Sequence, residues 1–284
     1  MDWSAAKGRW PHAEQSRFVS TRAHNWHVQQ AGSGPSILLL HGAGGASHSW
    51  RGIFGPLSER AQVLNLDLPG HGFTRRKANS RTRLTDMAED VQALLDTLSF
   101  EPQIIVGHSA GAAIAMQMAL NGSSAKTILA LNPALMPFRG LAGLLFPPLA
   151  KLLALNPFAA PFFARTAANG KAVRNLIDST GSTLDAEGLA LYRMLIGDAA
   201  HVDGALRMMA RWNLEPLLEA LPLIDLPVTI AVGHNDKTVP PETTRTQVPR
   251  LANATLIEVP DLGHLMHEEA PERFVDMVFD TLKT

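Results

Sequence analysis

The chain alternates between short, continuous apolar runs and longer stretches of helical spacing. The clearest run, Ile37-Leu-Leu-Leu40, follows the turn cluster Ala31-Gly-Ser-Gly-Pro35 and stops at His41-Gly42. A run of this kind reads as a strand buried on both faces. The same form recurs at residues 63–66, 104–106, 128–131, 228–232 and 256–259, and two weaker candidates, 17–19 and 26–29, precede them all. Between the runs, Leu84, Met87, Val91, Leu94, Leu95 and Leu98 recur at helical spacing. They predict a helix over 84–98, with Thr85 as its N-cap. Further helices are predicted over 110–120, which is rich in small residues, and over 274–282. Alternating strands and helices predict an α/β fold with a mostly parallel central sheet flanked by helices.

One segment breaks the alternation. Between residues 131 and 228 no strand candidate appears, and a structureless loop of roughly 90 residues is implausible in a compact domain. The pattern instead predicts helices near 141–155, 161–168, 171–177, 186–196 and 203–214. The expected organisation is a core of residues 1–133 and 222–284 with a helical cap, 134–221, inserted into it. From Ala134 to Arg165, 21 of 32 residues are apolar and the three charges are all positive. A helical lid with a buried underside explains much of this, and binding of a large apolar ligand or contact with a membrane surface explains the excess. Met194, Met208, Met209 and Trp212 are candidates to line the same cavity, or simply core.

Composition narrows the chemistry. The 284 residues carry a net charge of −1, which argues against a dedicated nucleic-acid binder. Cysteine is absent, so disulfides, zinc-thiolate sites and cysteine nucleophiles are all excluded. Residues 1–10 include Asp2, Lys7 and Arg9 and have no apolar signal core, and no uninterrupted run of 18 apolar residues occurs. A cytoplasmic protein, with peripheral membrane contact through the cap left open, is the expectation.

Gly107-His108-Ser109-Ala110-Gly111 lies between a predicted strand and a predicted helix. In that context G-x-S-x-G is a nucleophile elbow: the serine sits on a tight turn, and the helix N-terminus aims free N–H groups at developing negative charge. The plain alternative is a turn serine that caps the helix. A serine needs a base, and His264 follows the last predicted strand in Asp261-Leu-Gly-His264. The base needs an orienting acid, and Asp236 follows the preceding strand in Gly233-His-Asn-Asp236. The order Ser109, Asp236, His264 is the one this chemistry takes on a strand-turn-helix elbow. The position after residue 131, where a competing acid would stand, is Asn132. Backbone N–H groups of Ala110 and of Ala43, in His41-Gly-Ala43-Gly-Gly45, are the oxyanion-hole candidates. The glycine-rich run lacks the lysine of a phosphate loop. His267 forms an H-x-x-H pair with His264, but no matching acidic or histidine cluster supports a metal. His71, in Asp67-Leu-Pro-Gly-His71-Gly72, reads as structural. Arg75, Arg76, Lys77, Arg81 and Arg83 form a basic run that is either a solvated loop or a docking patch for carboxylates, a partner or anionic lipid.

Together, residues 36–45, 67–72, 107–111, 233–236 and 261–264 resemble the α/β-hydrolase superfamily over essentially the whole chain. Met1-Asp-Trp3, Trp10-Pro11, Ser16-Arg-Phe-Val19, Trp26-His-Val-Gln29, His48-Ser-Trp-Arg51 and residues 32–35 and 67–74 look more specifically like the BchO family. Its members are the α/β-hydrolase-like, magnesium-chelatase-accessory proteins of bacteriochlorophyll biosynthesis. The resemblance implies a role around tetrapyrrole intermediates of photosynthesis, and magnesium chelatase as a partner. The leading expectation is a serine hydrolase acting on an ester of a hydrophobic substrate, with no cofactor and no metal. The alternatives are a non-catalytic tetrapyrrole-binding or chelatase-accessory protein, and a hydrolase cleaving carbon–carbon bonds of ring-cleavage products.

Overall fold

The computed structural model describes residues 1–77, 81–136, 156, 159–166 and 170–283. The predicted runs become the strands β1 (Ser16–Ser20), β2 (His24–Ala31), β3 (Ser36–Leu40), β4 (Gln62–Leu66), β6 (Ile104–His108), β7 (Thr127–Leu131), β8 (Val228–Gly233) and β9 (Ala254–Val259). A two-residue strand, β5 (Arg75–Arg76), also forms inside the basic run, against β2. The described strands make one sheet in the order β1-β2-β4-β3-β6-β7-β8-β9. From β4 to β9 every pairing is parallel, while β2 runs antiparallel to β1 and β4.

Period-two alternation sends each strand's side chains to two separate cores. Leu38 and Leu40 of β3 pack with the helices α2 (Leu84–Leu98) and α3 (Ala110–Leu120). Ile37 and Leu39 pack with α1 (Arg51–Ser58) and with the C-terminal helix Pro271–Thr281. Burial on both faces is why these strands read as continuous apolar runs. The N-cap of α2 is Arg83 rather than Thr85. Asp86 closes that turn by accepting the Arg83 N–H at 3.1 Å, which places Thr85 inside the helix.

Between β7 and β8 the described residues form α4 (Ala159–Thr166), α5 (Gly170–Ser179), α6 (Ala186–Ile196), α7 (Ala199–Ala210) and α8 (Glu215–Ala220). The helix expected over 141–155 lies outside the described residues, as does most of the apolar stretch 134–165. The helix expected over 203–214 starts earlier, because Asp198 caps it by accepting the His201 N–H at 2.8 Å. Met208 is buried in the main core, Trp212 packs against that core, and Met194 packs against the cluster that holds Trp10 and Phe73.

The basic run does not form a free patch. Arg76 pairs with Asp203 at 2.8 Å, and Arg81 pairs with Asp90 at 2.8 Å and Glu89 at 2.8 Å. Lys77 donates to Ser20 Oγ and the Thr21 carbonyl, and Arg75 donates to the Met1 carbonyl. Carboxylates and carbonyls of the same chain take up the charges of Arg75, Arg76, Lys77 and Arg81, while Arg75, Lys77 and Arg83 stay exposed, as a solvated loop predicts. No helix among the described residues is long and apolar enough to cross a membrane.

Candidate active site

Six loops converge at the C-terminal ends of the parallel strands. They follow β3 (41–45), β4 (67–72), β6 (Ser109), β7 (Asn132), β8 (233–236) and β9 (261–264). Ser109 sits between β6 and α3 with φ 52° and ψ −114°, a left-handed conformation that costs a non-glycine residue about 1–3 kcal/mol. The turn is held from both sides, with the Ser109 N–H donating to Leu131 O at 2.9 Å and its carbonyl accepting from Ala134 at 3.2 Å. The approach to β3 is close enough that a methyl group at Gly111 would stand 2.1 Å from Leu40 O. The elbow therefore abuts the strand that carries the glycine-rich loop.

Asp236 and His264 are brought together: His264 Nδ1–H donates to Asp236 Oδ2 at 2.7 Å, and both side chains are almost fully buried. Asp236 Oδ1 accepts the N–H groups of Thr238 at 2.7 Å and Val239 at 2.8 Å. Its carboxylate is therefore satisfied and fixed in orientation. No hydrogen bond joins Ser109 Oγ to another described residue; such contacts are often long in a ligand-free hydrolase.

Ala110 is the first residue of α3, so its N–H has no acceptor within the helix. Ala43 is exposed at the tip of its loop. The carbonyl of the Gly42–Ala43 peptide accepts from Gly45 N at 3.1 Å and bonds His41 Nδ1 at 2.7 Å. His41 Nε2 accepts the Leu68 N–H at 2.9 Å, so its proton is on Nδ1 and the ring donates to Gly42. In a trans peptide C=O and N–H point oppositely, so fixing the carbonyl also fixes the Ala43 N–H. Burial holds His41 neutral by lowering its pKa.

Several residues outside the catalytic candidates hold this geometry. His108 Nε2 lies 2.8 Å from the His264 carbonyl. Asn132, at φ 43°, donates from Nδ2 to the carbonyls of Gly263 and His264, both at 3.0 Å, and accepts the Gly233 N–H at 2.8 Å. Asn132 thus joins the loops that carry the acid and the base. The carbonyl of Thr180, just beyond α5, accepts the N–H groups of Lys237 at 3.1 Å and His264 at 3.3 Å. Glu268 bonds Tyr192 of α6 at 2.8 Å and also Arg51. His108 fills a variable position of G-x-S-x-G and the others lie in no motif; a polar residue immediately after a predicted strand is the available signal for Asn132.

His71 is structural, as expected: it is buried, with its ring 5.4 Å from both His41 and His201. Asp67 anchors the same loop by accepting from His27 Nδ1 at 2.9 Å, Ser47 N at 2.7 Å and Phe73 N at 2.8 Å. Burial opposes ionisation there, but these donors outweigh it and hold the carboxyl well below the usual range. His267 does not join His264 in a shared site. Both rings pack against His108, at 4.5 and 4.7 Å, and His267 also lies against Trp50.

Comparison with known proteins agrees with this architecture. A model of the alpha/beta hydrolase family matches residues 37–277. The chain belongs to that family. Over 285 residues, covering 100% of both chains, it is 41% identical to the protein named magnesium-chelatase 30 kDa subunit of Rhodobacter capsulatus. Among solved structures, an alpha/beta hydrolase fold protein from Burkholderia ambifaria is 26% identical, with a TM-score of 0.78 over 94% of this chain and 97% of that one. An esterase from Exiguobacterium antarcticum shares the fold at 18% identity, with a TM-score of 0.77 over 94% and 99% of the two chains. The fold class and the family resemblance read from the sequence both hold.

Proposed function

We propose that the protein is a serine hydrolase acting on an ester of a hydrophobic substrate in magnesium-porphyrin metabolism. The observation that carries this reading is the buried Asp236–His264 hydrogen bond, on a loop tied to the residue preceding Ser109. Ser109 Oγ attacks the ester carbonyl while His264 Nε2 takes its proton. Asp236 holds the imidazole in the tautomer that leaves Nε2 free and stabilises the imidazolium that forms. The N–H groups of Ala43 and Ala110 receive the oxyanion. His264 then returns the proton to the leaving alcohol, and water repeats the sequence on the acyl-enzyme to release the acid. No metal or cofactor is needed for these steps. Residues 134–221 serve as the cap of a core formed by 1–133 and 222–284, and the apolar composition of 134–165 suits a hydrophobic substrate. A cytoplasmic location with peripheral membrane contact through the cap fits the same reading.

The substrate class leans on the full-length likeness to a protein named as a chelatase subunit. That likeness also favours a second reading, in which the fold holds a tetrapyrrole or contacts magnesium chelatase without using Ser109. One experiment separates the two. The protein and its Ser109→Ala variant are incubated with magnesium protoporphyrin and its methyl esters, and with p-nitrophenyl butyrate, following absorbance and product mass. Hydrolysis that is lost in Ser109→Ala supports the enzyme. An absorbance shift with unchanged ligand mass in both proteins supports binding alone and rejects the hydrolase.

A further inference from the structure

We infer that His201, carried by the inserted helix α7, is a positioning residue that makes this helix part of the support of the oxyanion loop. Its Nδ1 accepts the Gly72 N–H at 3.0 Å. A backbone N–H can only donate, so the ring proton sits on Nε2, which donates to the carbonyl of Gly44 at 3.1 Å. Gly44 lies in the loop 41–45 and has φ +76°, so this bond pins the reverse turn just beyond Ala43. One imidazole therefore bridges the loops after β3 and β4 from a helix that belongs to neither.

The helix that delivers it is rigidly seated. A methyl group at Gly204, one turn further on, would stand 1.9 Å from Gly70 O, so the two backbones are in direct contact. Asp203 pairs with Arg76 at 2.8 Å beside that contact. The His201 ring packs edge-on to His71, and His71 packs on His41, the residue that fixes the Gly42–Ala43 peptide from the other side. Burial pushes His201 down to about 4, which keeps the donor–acceptor tautomer in place at neutral pH. Loop 41–45 is thus held by His41 from within the core and by His201 from the inserted segment. A helix α7 that lifts away removes the second support, so seating of α7 and oxyanion stabilisation become one event.

The inference rests on the hydrolase reading for its kinetic arm, and the test uses two near-isosteric variants. His201→Asn keeps an acceptor at the Nδ1 position for Gly72 and loses the donor to Gly44. His201→Gln keeps a donor at the Nε2 position for Gly44 and loses the acceptor. Each retains one anchor, and thermal unfolding reports whether both fold. With p-nitrophenyl butyrate, His201→Asn should lower kcat by about 10–100-fold with KM within about two-fold, and His201→Gln should stay within about three-fold of wild type. Amide hydrogen exchange by mass spectrometry supplies a readout independent of turnover. The 41–45 segment, where Gly45 donates to Gly42, should exchange faster in His201→Asn and not in His201→Gln. Equal kcat in the two variants with unchanged exchange over 41–45 overturns the inference. If the wild type shows no Ser109-dependent turnover, the hydrolase reading fails, and the exchange pattern alone still upholds or rejects the role of His201.

Discussion

The Nε2–H of His108 donates to the backbone carbonyl of His264 over 2.8 Å, so the residue before the elbow serine grips the loop that carries the histidine. The base is thereby indexed to the nucleophile through the backbone and not through side-chain packing alone. Asn132 makes a second bond to the same carbonyl, so removing His108 loosens the loop without freeing it. His108→Leu should cost about 0.5–1.5 kcal/mol of stability, the range for losing one hydrogen bond whose acceptor keeps another donor. It should lower kcat on an activated ester by about ten-fold or more, since a displacement near 1 Å is enough. Paired urea melts and steady-state kinetics check both effects, and wild-type kcat in a folded variant would show that this bond does not position His264.

Asn132→Asp tests the position where a competing acid was sought. The asparagine amide donates to two carbonyls, and a carboxylate would turn lone pairs toward both. Its other oxygen would still accept from Gly233. The variant should be destabilised by roughly 2–4 kcal/mol at pH 7, and less at pH 4, where a protonated carboxyl regains one donor. It should not substitute for Asp236. A variant as stable as wild type at pH 7, or one that rescues Asp236→Asn, would contradict this assignment.

Much of the candidate site is legible in the sequence, for a physical reason. Strands buried on both faces leave continuous apolar runs, and chemistry collects where those runs end. Ser109, Asp236, His264 and the loop around Ala43 are candidates because they stand just past the ends of these runs. The supporting residues were not found, because their partners lie far away in sequence. Thr180 contributes only a backbone carbonyl, and backbone partners carry no residue-type signal. His201 fell outside its predicted helix because the start was set by apolar spacing, when Asp198 was already available as a cap. The ion pairs of the basic run are hidden from the sequence for a related reason: Arg76 and Arg81 are answered by Asp203 and Asp90, acids on two different helices.

The elbow geometry carries its own prediction. At φ 52° and ψ −114° any side chain at position 109 is strained, and alanine inherits that strain. Ser109→Ala and Ser109→Gly should both lack esterase turnover, but the glycine variant should be the more stable, by about 1 kcal/mol or more. Thermal and urea unfolding compared across the three proteins measure the difference. A glycine variant no more stable than the alanine one would mean that the turn stores no strain.

Buried histidines set the response to acid. Burial lowers the pKa of His41, His48, His71 and His108, and takes His201 to about 4 and His267 to about 3. In the unfolded chain each would titrate near 6.5. As pH falls from about 6.5 toward 4 the unfolded state gains these protons and the folded state does not, so stability drops with pH. Glu268 acts oppositely. Burial lifts it to about 7, so between about 4.5 and 7 the folded state holds one proton that the unfolded state lacks. Several histidines against one carboxyl leave a net uptake on unfolding of about two protons or more at pH 5.5, read from the slope of stability against pH. His267 isolates one contribution, because neither of its ring nitrogens has a hydrogen-bond partner among the described residues and its ring lies against Trp50 and His108. His267→Phe should leave stability at pH 8 within about 1 kcal/mol, since no hydrogen bond is lost, and should reduce the uptake at pH 5.5 by close to one proton. An unchanged slope in that variant would mean that His267 is charged in the folded protein, and a partner for its ring would then have to exist.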